Sequence, residues 1–360
     1  SYCCKKSTRL CIIRPRRTSI MPKRFLGNIM TDAPTAPAGN VENSAASGVW
    51  SLQEQYGYRR GNNWPSTDNA APRGLFFGGE TSSNNLINII QFIQISTASN
   101  ATDFGDLSVA NAKGSATGSS TRSLYSGGTF GSGESNVIEY VTSATLGNTT
   151  DFGDLSTQRY LHVSFASDTR SVFAGGVNNG IEYVTTASTG NVTDFGDLSG
   201  TFKKGAGFSS PTRGIIVDGD SNKIEYVTIA STGNATDFGD SAGSGENLKY
   251  SDRSDGCSNS TIGITGGFFS SQADIYKLTI ASLGNMTDFG GNLSVARAKV
   301  AACASKERGV FAGGQNSSDN SVNTIDFVTF ASAGNASDFG DLTSVDTSFD
   351  GTSNSHGGIA

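Results

Sequence analysis

An all-β fold, a closed six-bladed β-propeller, follows from three observations on this 360-residue chain. Variants of one segment, seen as Gly233-Asn-Ala-Thr-Asp-Phe-Gly-Asp240, occur six times, around Phe104, Phe152, Phe195, Phe238, Phe289 and Phe339. Those phenylalanines lie 48, 43, 43, 51 and 50 residues apart, and each interval holds about four short apolar runs, the length and content of one four-stranded blade. The composition is that of a turn-rich β chain: 46 Gly against 7 Pro, only 16% charged residues, and apolar residues gathered into short runs. That clustering argues against disorder, which requires apolar residues to be few and dispersed.

Three regions are expected: a basic leader at residues 1–20, an N-terminal arm and assembly segment at 21–72, and the propeller at 73–360. Residues 1–24 carry eight Lys/Arg and no Asp/Glu, which leaves 18 basic against 32 acidic residues in the remainder. An acidic body is a poor partner for the phosphate backbone, so no nucleic acid is expected on it. The leader lacks the continuous apolar centre of a secretory signal, and Met21 begins a more ordinary start, so residues 1–20 are read as preceding the natural start or as a processed leader. A nucleic-acid-binding arm is the sharper reading of the same arginines, a solvated leader the plainer one. No apolar run reaches the roughly 20 residues that span a bilayer as a helix, so no membrane insertion is expected.

Residues 25–47 are rich in Ala, Pro, Asn and Thr without a period and read as an extended arm. The segment from Gly48 to Pro65 differs. Ser51 and Glu54 have capping-box spacing for one short helix. Trp50, Leu52, Tyr56, Tyr58 and Trp64 concentrate aromatic and apolar surface that so short a segment cannot bury by itself. These five residues are therefore the candidate assembly contacts, against the body or against a partner chain, and homo-oligomers are left open.

From Arg73 a cycle of four strands begins. Its first phase is an apolar run ending in two glycines, as in Leu75-Phe-Phe-Gly-Gly79 and Val310-Phe-Ala-Gly-Gly314, usually preceded by Arg (73, 122, 170, 213, 308). The fourth unit departs, with Ile215-Ile-Val-Asp-Gly-Asp220. Variable loops follow at 81–85, 129–136, 177–179, 218–223, 268–273 and 315–323. Alternating runs such as Ile181-Glu-Tyr-Val-Thr185 read as half-buried strands. Gly190-Asn191 and its counterparts read as the centre of a hairpin turn, because both residue types tolerate positive φ. Asp-Phe-Gly-Asp-Leu closes the hairpin, and a more variable strand leads to the next unit. The first unit lacks that variable strand, whereas residues 343–354 supply one with no unit after it. The C-terminal strand is thus expected to complete the first blade and remove the open edge. An open β-solenoid is the competing architecture.

The double-glycine strand, over residues 73–360, resembles that of kelch-type propellers, although no Trp follows downstream of the glycines. The resemblance implies the fold and a binding role, not a reaction. Gly48-Val-Trp-Ser-Leu-Gln-Glu-Gln55 and Asn63-Trp-Pro65, with the Thr-Asp-Phe-Gly-Asp-Leu repeats, resemble segments of tail-associated structural proteins of marine bacteriophages. That resemblance implies a virion surface component such as a tail fibre, joined to other virion proteins through its arm and contacting a host-surface glycan or protein.

The motif chemistry has plain readings. Asp-Phe-Gly also occurs in protein kinases, but six copies without a catalytic loop exclude that role. The six phenylalanines are read as blade-signature packing residues, with the aspartates bonding turn amides. Asp103/Asp106, Asp151/Asp154 and Asp194/Asp197 are the candidate calcium ligands, against turn capping as the alternative. Asn-x-Thr/Ser recurs at Asn100, Asn148, Asn191, Asn234, Asn285 and Asn335, either as turn chemistry or as glycan acceptors. His162 and His356 are the sole histidines and there is no CxxC pair, so zinc and copper sites are poorly supplied. No cofactor, catalytic residue or enzymatic activity is expected. A secreted or cell-surface binding propeller is the alternative to the virion reading, and a glycan-active enzyme the more distant one.

Overall fold

The computed structural model of the protein describes residues 72–131, 133–241, 255–267, 273–344 and 346–359, with the two short strands Arg24–Phe25 and Asn28–Ile29. The chain divides into two compact units, Ser1–Asn69 and Ala70–Ala360. In the first, Arg24–Phe25 pairs antiparallel with Asn28–Ile29. The expected leader, the helix from Ser51 and the residues Trp50, Leu52, Tyr56, Tyr58 and Trp64 lie outside the described residues.

The second unit is a six-bladed β-propeller of antiparallel sheets, four-stranded in blades 2 to 6 and five-stranded in blade 1, where two short strands share the innermost position. Among the described residues there is no helix. Blades 2 to 6 take their strands in chain order. Blade 3, for example, is Val163–Ala166, Arg170–Ala174, Gly180–Thr185 and Thr193–Asp197. Blade 1 is built from both ends of the unit. Arg73–Thr81, Leu86–Gln94 and Thr102–Asp106 are joined by Asp346–Thr347 and Asp350–Ser353, with Gly74 opposite Ser353 and Phe77 opposite Asp350. The expected closure by the C-terminal strand is therefore present. The innermost strands neighbour one another in an unbroken circle, from Ser115–Gly118 through Asp350–Ser353 and back.

The core lies between blades. Signature Phe195 of blade 3 joins Val172, Ile181 and Leu198 against Ile216, Val227 and Ile229 of blade 4, and the other five interfaces repeat this arrangement. All six signature phenylalanines are buried. Each contributes about 1.5–3 kcal/mol by leaving water.

The third strand of each blade differs from the expected half-buried strand. Ile181, Glu182 and Val184 are all buried and Tyr183 is half-buried. Neighbouring blades cover both faces, and a β-bulge between Ile181 and Glu182 interrupts the period of two. The bulge recurs in every blade and falls at the Phe-Gly of the signature. Gly196 there has φ 148°, and a Cβ on it would lie 2.4 Å from the carbonyl oxygen of Gly233 in the next blade. Glycine is required both for the backbone angle and for the close approach.

Candidate functional site

The six copies of the signature form a ring of latches between blades. The hairpin turn itself lies at 186–188, closed by the Ser188 N–H to the Thr185 carbonyl at 3.0 Å. Gly-Asn comes after the turn and reaches across to the preceding blade, which corrects its expected place at the turn centre. The Gly190 N–H donates to the Phe152 carbonyl at 2.7 Å, and the Asp154 N–H donates to Oδ1 of Asn191 at 3.0 Å. The same asparagine contact joins Asp106 to Asn148, Asp197 to Asn234, Asp240 to Asn285, Asn292 to Asn335 and Asp341 to Asn100. Across the interfaces the asparagine side chain accepts, and the donor is the backbone of an aspartate, or of Asn292 in blade 5. Capping by an aspartate side chain is seen at Asp288, whose Oδ1 accepts from the Gly290 N–H at 2.8 Å.

The candidate calcium residues Asp103, Asp151 and Asp194 are exposed, on the far side of the bulge from Asp106, Asp154 and Asp197. Among the described residues no set of three His, Cys, Asp or Glu side chains gathers as metal ligands.

The arginine that begins the second strand is a further latch that sequence reasoning did not assign. Arg170 lies 4.4 Å above the ring of Tyr183, and its Nη1 donates to the Ile229 carbonyl of blade 4 at 2.8 Å. Arg73, Arg122, Arg213 and Arg308 repeat the pairing of stack and carbonyl. Tyr183 in turn packs edge-on against Phe195. Blade 5 has Ile262 at this step and instead sets Lys277 over Phe289.

The innermost strands of all six blades line the axis of the ring. Two cavities among the described residues there measure about 40 and 20 Å³. The chain end lies across one mouth: His356 Nε2 donates to the Gly118 carbonyl at 2.8 Å, and the Gly357 N–H donates to the Ser258 carbonyl at 2.7 Å. With Nε2 protonated, Nδ1 accepts from the Gly358 N–H at 3.1 Å. Burial holds the His356 imidazole below its ordinary pKa of 6.5, against the Gly118 hydrogen bond and the Asp168 charge, which act to raise it. Cys257 and Cys303 are buried free thiols on neighbouring inner strands, and burial pushes both thiols up.

The blades differ most on the face where the second strand turns into the third. The loops there lie beside the connections that lead into the blade: Ala112 bridges to Thr129, and Arg297–Ala298 pairs with Gln315–Asn316. Of the expected loops, Ser132 and residues 268–272 lie outside the described residues. Just beneath this face sits a repeated polar position, Gln91, Glu139, Glu182, Glu225 or Asp326, the residue at the bulge. Glu182 pairs with Arg159 at 2.9 Å, and Asp326 pairs with Arg297 at 2.8 Å, with both arginines fully buried. Glu225 accepts the Ser199 N–H at 3.1 Å. Gln91 reaches Thr343 and Asp346.

In blade 2, as in blade 4, no arginine among the described residues pairs with the carboxylate. Burial raises the Glu139 carboxyl above its ordinary value, partly offset by hydrogen bonds from Ser108 and Thr149, and Asp151 adds repulsion. Beside it is a cavity of about 120 Å³ lined by Ser108, Val109, Asn111, Phe130, Val137 and Glu139. That is well above the ~10–15 Å³ that suffices to hold one water. The apolar-run and loop pattern marked the face on which this cavity opens. The cavity itself had no signal in a single unit; comparing the units aligns Asn111 with Arg159 and Arg297.

No protein-family profile matches the chain, and no curated protein matches it.

Proposed function

We propose that the protein is a non-enzymatic virion component of a bacteriophage, tail-associated or on a surface appendage. Its propeller binds a host-surface glycan or protein, or a neighbouring subunit. The propeller supports the binding role, because the scaffold repeats while the loops on one face vary, and recognition on repeat scaffolds resides in such loops. Blade 2 carries the observation behind this reading: exposed Val109, Phe130 and Val137 surround the mouth of a cavity whose floor includes Glu139. An apolar mouth over a polar floor is a recognition chemistry.

The virion role rests on the sequence resemblance of residues 48–55, 63–65 and the Asp-Phe-Gly-Asp repeats to phage tail-associated proteins. The double-glycine strands resemble those of kelch propellers. In this reading residues 21–72 join the propeller to other virion proteins, and the face of variable loops points outward on the particle.

Mass spectrometry of purified virus particles tests the location, and absence of the chain from particles overturns it. Deletion of residues 1–72 tests the arm. A soluble propeller that no longer joins particles is the expected outcome, and unchanged incorporation removes the role of the arm. A glycan array with the full chain tests recognition, and release of a product from a bound glycan overturns the non-enzymatic reading. The six Asn-x-Thr/Ser asparagines in register with the repeat are exposed, the one observation favouring a secreted, cell-surface protein. Intact mass decides between the two, since glycan on those asparagines supports the secreted alternative.

A further inference from the structure

The bulge position and the connection preceding it form a repeated pair. In blades 3 and 6 the connection runs from Ser156 to Arg159 and from Ser294 to Arg297, three residues apart in each case. The serine and the arginine converge on one carboxylate. Ser294 Oγ donates to Asp326 at 2.6 Å beside the Arg297 guanidinium, and Ser156 donates to Glu182 beside that of Arg159. Blade 2 keeps the serine as Ser108 and the carboxylate as Glu139, and Ser108 acts to lower the Glu139 pKa. At the arginine step stands Asn111, a shorter and uncharged side chain. The 120 Å³ cavity lies against it.

Two features show that the cavity is not simply a smaller core. The Asn111 side chain is buried and its Nδ2 donates to the Gly127 carbonyl at 2.8 Å, but its Oδ1 has no hydrogen-bond partner. No lysine or arginine among the described residues forms an ion pair with Glu139. Outside, Val109 is 55% exposed, Phe130 40% and Val137 39%, so three of the seven large apolar side chains exposed in the described residues meet at this mouth.

We infer that the blade 2 cavity is a binding pocket for a cationic side chain of a partner protein, arginine before lysine. The guanidinium takes the place beside Glu139 and Ser108 that Arg159 and Arg297 take in their own blades. Its planar fork suits a carboxylate, and its methylenes cover Val109 and Val137 while the Phe130 ring borders the cation. A carboxylate held in a partly apolar site gains more from such a partner than an exposed one does. The inference rests on the face of variable loops being a recognition surface.

The test uses the full chain with three capped amino acids, the N-acetyl methylamides of arginine, citrulline and lysine, read by saturation-transfer NMR and titration. Citrulline has the shape of arginine without its charge. Arginine is expected to bind saturably, lysine more weakly, and citrulline not at all. Glu139→Gln should weaken arginine binding by ~10-fold or more, the loss expected when a charged hydrogen-bond partner is removed. Asn111→Arg, which rebuilds the internal pair of blades 3 and 6, should abolish it. The pocket is overturned if arginine shows no saturable binding, if citrulline binds equally, or if both variants bind as the unaltered chain does. A Glu139→Gln chain that still captures its natural partner undiminished also overturns the pocket but leaves the recognition surface standing.

Discussion

The Asp341 backbone N–H donates to Oδ1 of Asn100 at 3.1 Å, across 241 residues of chain. Five equivalent contacts join consecutive blades over 37 to 45 residues. The Asn100 contact differs from these only in closing the ring, together with the Ala101 N–H to the Asp341 carbonyl at 2.8 Å and Arg308 reaching the Ile95 carbonyl at 3.0 Å.

Removal of residues 346–360 should therefore be far worse than loss of a chain end. It takes the innermost strand of blade 1 and leaves Arg73–Thr81 with an unpaired edge. The expected result is aggregation, or loss of the single cooperative unfolding transition in denaturant. Removal of residues 357–360 alone leaves that strand in place and should lower stability by about 1–2 kcal/mol, in proportion to the hydrogen bonds lost. Equal behaviour of the two truncations would show that strand closure is not what holds the ring.

Gly196→Ala should destabilise the protein by about 3 kcal/mol or more, since neither the φ of 148° nor the 2.4 Å approach of the Gly233 carbonyl admits a Cβ. Gly200→Ala, at a position with open space around it, is the control and should change stability by less than about 0.5 kcal/mol. Urea unfolding reads both.

Arg170→Ala removes the stack on Tyr183 and the bond to the Ile229 carbonyl together. A loss of about 1–2 kcal/mol is expected. Arg170→Lys should recover only part of it, because an ammonium does not stack as a planar guanidinium does. Full recovery by lysine would assign the effect to charge alone.

The chain end should be sensitive to acid. His356 has its folded pKa below the ordinary 6.5, so the unfolded chain takes up a proton first as pH falls. The stability held by the neutral ring is complete above about pH 6.5 and declines as pH drops below that value. Protonation of Nδ1 also removes the acceptor for the Gly358 N–H. His356→Gln should flatten this part of the stability profile, measured by thermal unfolding from neutral pH downward. An unchanged profile would remove His356 from the linkage.

Glu139 has the opposite sign. Its folded pKa lies above the ordinary 4.5, so the native state holds the proton longer and stability falls as pH rises through the interval between the two values. Glu139→Gln should accordingly be the more stable protein at neutral pH by about 1 kcal/mol, with the difference vanishing below about pH 4.5. A stability cost retained at a binding residue is the usual relation between a site and its scaffold. Lower stability of the glutamine variant at neutral pH would show that the carboxylate serves the fold.

The chain sequence by itself determined the strands, the number of blades and the closure. Each depends on a local pattern repeated every 43 to 51 residues, and on a fourth strand missing from the first unit but present after the last. The same repetition misled at short range. Gly190-Asn191 carries the chemistry of a tight turn, yet the turn lies just before it and the pair bonds the preceding blade. Ile181-Glu-Tyr-Val-Thr185 alternates like a strand with one wet face, yet a bulge and a blade on either side bury it. Only the tertiary structure decided which residues meet between blades: Arg170 with Ile229, Glu182 with Arg159, and Asn111 standing where blades 3 and 6 supply an arginine. Periodicity records what each unit has in common along the chain. Contacts across the ring join side chains tens to hundreds of residues apart, and their geometry exists only once every blade has a neighbour on both sides.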